Sequence, residues 1–104
     1  MSKRFENKVV AITGAAGGMG LAFARHFAAE GAALILADVD DAGLVETAAV
    51  LTKEGARCST HVVDLPVEGE IQKFAAEVAE QHERLDVLIN NAGLAYGQAA
   101  FSFV

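Results

Sequence analysis

A strand that runs into closely spaced glycines and then into a helix leaves a chain few options, and the first twenty or so residues here have that form. The apolar run Val9-Val10-Ala11-Ile12 leads into Thr13-Gly14-Ala15-Ala16-Gly17-Gly18-Met19-Gly20, and a helix-like segment follows directly. Glycines let the backbone turn sharply and come close to a bound group. The free N–H groups and positive dipole end of the next helix then attract negative charge. The turn is predicted to cradle a pyrophosphate, with Gly14 making the turn and Gly18 and Gly20 the close approaches. The plain alternative is a flexible glycine loop, which the glycines alone do not exclude.

Two further features bear on that choice. Asp38 closes a second apolar run, Ala33-Leu34-Ile35-Leu36-Ala37. It stands about 20 residues beyond the turn, where an acid is expected to meet the ribose hydroxyls of a nucleotide. Asn90-Asn91-Ala92-Gly93 ends a third run, Val87-Leu88-Ile89.

Together these residues resemble the short-chain dehydrogenase/reductase family. The Thr-Gly-x-x-x-Gly-x-Gly turn is Thr13 to Gly20, the ribose-binding acid is Asp38, the adenine-side acid is Asp64, and the Asn-Asn-Ala-Gly motif is Asn90 to Gly93. The lead-in Arg84-Leu85-Asp86-Val87-Leu88-Ile89 is similar to the family's fourth strand, so the resemblance covers residues 5 to 94. It implies a Rossmann-type α/β fold, oxidoreduction of a hydroxyl or carbonyl substrate, and cofactor contacts at Gly14, Ala16, Gly18, Met19, Gly20, Asp38, Val39, Asp64, Leu65, Asn90, Ala92 and Gly93.

The family's catalytic Ser, Tyr-x-x-x-Lys pair and additional Asn lie beyond its fourth strand. Here Tyr96 has Ala100 where the lysine would stand, and no lysine follows Lys73. This chain by itself is therefore expected to be inactive, with no catalytic residue assigned. The second reading is a non-catalytic nucleotide-binding or self-associating module.

Asp38 has an alternative role as a helix-approach or capping acid, shared with Asp40 and Asp41. If it meets the ribose, it also selects NAD over NADP. A 2′-phosphate facing a carboxylate is a like-charge contact costing several kcal/mol when desolvated. Gly17, where NADP-preferring relatives often carry a basic side chain, brings no compensating charge. Asp64 is open to two roles, capping the third helix or bonding the adenine amino group. Asn90 and Asn91 are open between tying neighbouring strands and bordering the cofactor.

The 104 residues suffice for one domain, and a composition 53% hydrophobic and 21% charged suits parallel strands covered on both faces. A net charge of −6, with no cationic cluster beyond Lys3-Arg4, argues against nucleic-acid binding. No segment has the length of a signal peptide's apolar stretch or of a membrane span, so a cytoplasmic protein is expected. Cys58 is alone and reads as a small buried thiol at a strand start. His26, His61 and His82 are scattered over a helix, a strand and a helix end, and no metal site is predicted.

Hydrophobic periodicity predicts strands near 8–13, 33–38, 57–63 and 86–90. Helices are expected over Met19 to Glu30, closed by Gly31, and over Asp41 to Glu54, closed by Gly55. A third carries its apolar face on Ile71, Phe74, Ala75, Val78 and Ala79, with Pro66, Glu68 and Glu70 marking its first turn. It should cover the sheet face opposite the first two helices. The expected order is 3-2-1-4, with the chain ending after the fourth strand and the site at the switch between strands one and four. Residues 1–94 then form a partial dinucleotide-binding domain and 95–104 an apolar tail. Phe101, Phe103 and Val104 in that tail would either fold back on strand four or meet another chain, which predicts self-association.

Overall fold

The computed structural model describes residues 4–64, 69–82 and 84–90. Strands and helices alternate: β1 Val9–Thr13, α1 Gly18–Ala29, β2 Ala33–Asp38, α2 Asp41–Lys53, β3 Arg57–Val62, α3 Glu70–Gln81 and β4 Val87–Asn90. All strand pairs are parallel, in the expected order β3-β2-β1-β4. The register pairs Thr13 with Ala37 on one side and with Asn90 on the other, and Asp38 with Val62. The motif residues therefore emerge along one edge of the sheet.

The interior strands are apolar on both faces because helices cover both. Val10, Ile12, Leu34 and Leu36 pack with Ala24 of α1 and with Leu44 and Leu51 of α2. Ala11, Ile35 and Ala37 pack on the other face with Val63 and with Phe74 and Val78 of α3. This places α3 opposite α1 and α2, as the sequence predicts. Each fully buried leucine or isoleucine contributes about 1.5–3 kcal/mol by leaving water. Leu36→Ala, which also opens a cavity, should cost about 2–5 kcal/mol.

β3 is the polar edge of the sheet. Its His61 is buried, with Nε2 3.2 Å from Ser59 Oγ and Nδ1 3.0 Å from Glu77 Oε1, and its ring meets Phe74 edge-on. The Glu77 and Phe74 contacts join β3 to α3. No buried side-chain nitrogen or oxygen lacks a partner among the described residues.

Several boundaries and burials differ from expectation. α3 starts at Glu70, preceded by Gly69 in the left-handed region at φ +93°, so Glu70 alone of the three expected markers opens it among the described residues. Pro66 and Glu68 lie outside the described residues. Among the described residues no side chain caps α3, whose N-cap is Gly69, and the Asp64 N–H donates to Glu70 Oε1 at 3.5 Å. Ala79 is exposed because α3 meets the sheet along the narrower stripe of Phe74 and Val78. Cys58 is half-buried, its thiol 3.7 Å from the Thr52 hydroxyl. Among the described residues no helix is long and apolar enough to cross a membrane.

Candidate dinucleotide site

At the carboxyl end of β1, Gly14 takes φ +66°, a conformation that costs glycine nothing and that side chains resist. The next peptides are held from β2. The Ala15 N–H donates to the Ala37 carbonyl at 3.0 Å, and the Ala16 N–H donates to Asp38 Oδ2 at 2.9 Å. The chain then enters α1. Gly20 must be glycine for packing: a β-carbon there would stand 2.4 Å from the Gly14 oxygen and 2.7 Å from Ala15 Cα. Gly18 differs, since nothing lies within 4 Å of its added β-carbon. Gly20 therefore makes its close approach to the protein itself, and Gly18 faces open space.

The amino end of α1 is electrostatically unfinished. Its N-cap, Gly17, offers no side-chain cap, and its first turn holds no acid. α2 is closed by contrast, because Asp40 caps it by accepting from the Gly43 N–H at 3.0 Å and Asp41 lies in its first turn. A helix start without cap or carboxylate leaves N–H groups and positive potential for an external anion.

Asp38 stands beside that helix end. Its other oxygen, Oδ1, accepts from the Asp40 N–H at 3.0 Å, so the carboxylate is oriented by two backbone donors while Asp40 does the capping. Met19 and Val39 flank the site and are exposed, as Val45 and Val62 are elsewhere. Asp64 lies half-buried just beyond β3, and Asn90 ends β4. Thr13 Oγ1 donates to the Ile89 carbonyl at 3.4 Å, tying the two strand ends that meet at the switch point. Leu65, Asn91, Ala92, Gly93 and the tail 95–104 lie outside the described residues. Two residues of α2 that sequence reasoning did not single out, Gly43 and Thr47, also touch the turn. They look like ordinary helix interior, and only their contacts reveal them.

The opposite edge of the sheet is built differently. A cavity of about 470 Å³ there is lined by Lys8, Val9, Ala33, Arg57, Ser59 and His82 among others. It is bordered by strand starts and by the carboxyl end of α3, the helix end that disfavours anions. The Val9 N–H donates to Asp86 Oδ2 at 2.8 Å, and Arg84 Nε reaches the same oxygen at 3.1 Å. The Val9 N–H foremost, with Arg84 beside it, holds the Asp86 carboxyl below the ordinary carboxylate range.

Comparison with known proteins agrees with this geometry. A family profile described as short chain dehydrogenase matches residues 8–103. The meso-2,3-butanediol dehydrogenase of Serratia marcescens is 48% identical over 91 residues, 88% of this chain and 36% of that protein. The structure of NAD+-bound xylitol dehydrogenase superposes with a TM-score of 0.79 at 31% identity, over 83% of this chain and 33% of that one. A short chain dehydrogenase/reductase from Burkholderia phymatum in complex with NAD gives a TM-score of 0.76 at 35% identity, over 85% and 31% of the two chains. The chain thus spans about a third of the length of the relatives it matches. Its glycine turn, its sheet order and the profile match over residues 8–103 together make it a member of the short chain dehydrogenase family.

Proposed function

We propose that this chain binds the adenosine diphosphate side of a nicotinamide dinucleotide at the carboxyl ends of β1, β2 and β4, and prefers NAD to NADP. On this reading it is the cofactor-binding part of a cytoplasmic oxidoreductase acting on a hydroxyl or carbonyl substrate. The observation that carries it is the amino end of α1, which has neither cap nor acid and adjoins an oriented carboxylate. The NAD-bound neighbours support the choice of ligand.

The nicotinamide, when bound, supplies or accepts the hydride. The chain's residues bind and orient. The N–H groups at Gly18, Met19 and Gly20 would take the pyrophosphate, with Gly14 and Ala16 shaping the turn. Asp38 would accept from the ribose hydroxyls, since a carboxylate oxygen with one backbone donor retains a second lone pair. Val39, Asp64 and Leu65 would border the adenine, and Asn90, Ala92 and Gly93 the far side of the cleft. The binding unit would be residues 1–94, with 95–104 as an apolar tail.

Calorimetric titration with NAD and NADP tests this. NAD should bind more tightly by about tenfold or more, as expected when a carboxylate faces the 2′-phosphate. Equal or tighter binding of NADP overturns the preference, and no binding of either overturns the site. The 104-residue chain should not turn over alcohols or ketones, because it offers no Tyr-x-x-x-Lys pair for proton transfer at the reacting oxygen.

One observation favours a second property. Among the described residues β4 pairs only with β1, which leaves Val87, Leu88 and Ile89 on an edge strand. Association through that edge and the tail would appear as concentration-dependent light scattering, reduced by Phe101→Ser with Phe103→Ser. A monomer at high micromolar concentration overturns it.

A further inference from the structure

The glycine turn is gripped from α2, a helix with no part in the glycine motif. Thr47 is 5% exposed, and its hydroxyl donates to the Ala15 carbonyl at 3.1 Å across 32 positions of sequence. One helical turn earlier on the same face, Gly43 brings α2 close: a β-carbon there would stand 2.7 Å from Ala16 Cβ and 2.6 Å from Asp40 Oδ2. With β2 holding the Ala15 and Ala16 N–H groups, the peptides leading into α1 are fixed from two elements.

We propose that Thr47 is a positioning residue of the dinucleotide site, fixing through the Ala15 carbonyl the direction of the N–H groups at the start of α1 without touching the ligand. The inference rests on the binding site proposed above. An anion receives several backbone N–H bonds together only if they already converge, so a turn that must be ordered on binding loses affinity. The hydroxyl supplies that order on the side that β2 does not reach. Gly43 makes the grip possible, because a side chain there would hold α2 off the turn. Loss of the hydroxyl should therefore weaken ligands that carry a diphosphate and spare one that reaches only the adenosine end.

The test titrates NAD, ADP and adenosine into the wild type, Thr47→Val and Thr47→Ser, well below each unfolding midpoint, and follows amide hydrogen exchange at Ala16 to Gly18. Thr47→Val should weaken NAD and ADP about tenfold and adenosine by less than about twofold, and should speed exchange in the turn. Thr47→Ser, which keeps the donor, should restore diphosphate affinity to within about threefold of wild type. Undiminished NAD affinity in Thr47→Val, or an equal loss for adenosine, overturns the proposal. If the wild type binds neither NAD nor ADP, the binding site itself is refuted, and exchange in the turn decides the role of Thr47: faster in Thr47→Val supports it, unchanged overturns it. If Thr47→Val does not fold, Thr47→Cys, a weaker donor of similar size, should give an intermediate loss, and wild-type affinity there overturns the proposal.

Discussion

The two edges of this sheet each carry an aspartate that accepts a backbone N–H from a neighbouring segment, yet only at the amino edge is that aspartate also paired with an arginine among the described residues. At the carboxyl edge Asp38 accepts from Ala16 and Asp40, and no arginine or lysine pairs with it among the described residues. At the amino edge Asp86 accepts from Val9 and is covered by Arg84, which also donates to the Asn7 carbonyl. The same carboxylate chemistry thus forms an ion pair at one edge and is held by backbone donors alone at the other. The difference follows from chain direction. α1 starts at the carboxyl edge, so its unpaired donors and the free face of Asp38 meet at one place, whereas strand starts at the amino edge use their donors on each other. The proposed role of Asp38 rests on this difference, since its partners are backbone groups that orient the carboxylate without pairing it with a cation.

The largest expected effect separates two glycines of the same turn. Gly20→Ala forces a β-carbon to 2.4 Å from the Gly14 oxygen and should displace the turn, costing about 1–3 kcal/mol of stability and most of the dinucleotide affinity. Gly18→Ala meets open space and should leave thermal stability near wild type while still weakening binding. Equal stability loss in both would break the distinction between a packing glycine and a ligand-facing one.

Asp38→Ala sharpens the comparison next. It should abolish the preference for NAD and, by removing the acceptor for two backbone N–H groups, lower stability by about 1–3 kcal/mol. Circular dichroism melts and paired NAD and NADP titrations read both. A retained preference would mean that another group rejects the 2′-phosphate.

How far this edge could be read from sequence depends on how local its determinants are. The glycine turn, the run ending in Asp38 and the alternation of strands and helices are written in neighbouring residues, and with right-handed crossovers and the family resemblance they give the sheet order and the faces covered by α1, α2 and α3. Thr47 and Gly43 are not visible that way. A threonine and a glycine in a helix carry no pattern, and their meaning comes from contacts with Ala15 and Ala16, far back in the chain. The His61 contacts with Ser59 and Glu77 likewise depend on α3 crossing β3 at one height. Glu70 opens α3 as its sequence suggests, whereas the left-handed glycine before it, Gly69, has no signal beyond its identity, and Pro66 and Glu68 lie outside the described residues.

A smaller effect belongs to the amino edge. Because the folded chain holds Asp86 below the ordinary carboxylate value of about 4, its contribution is complete above that pH and is lost as pH falls through the depressed value. Asp86→Asn should therefore flatten the acid limb of the stability profile and leave cofactor affinity at neutral pH unchanged. An acid limb identical to wild type would show that Asp86 is not a source of it. A change in cofactor affinity would show that the two edges are coupled.

Where NAD binds is read most directly from the amide chemical shifts it changes in the isotope-labelled chain. Binding at the carboxyl edge should give large shifts at Gly14 to Gly20 and at Asp38 to Asp40, with Lys8, Val9, Arg57 to Ser59 and His82 unchanged. Shifts centred on the amino-edge residues, with the glycine turn unmoved, would contradict it.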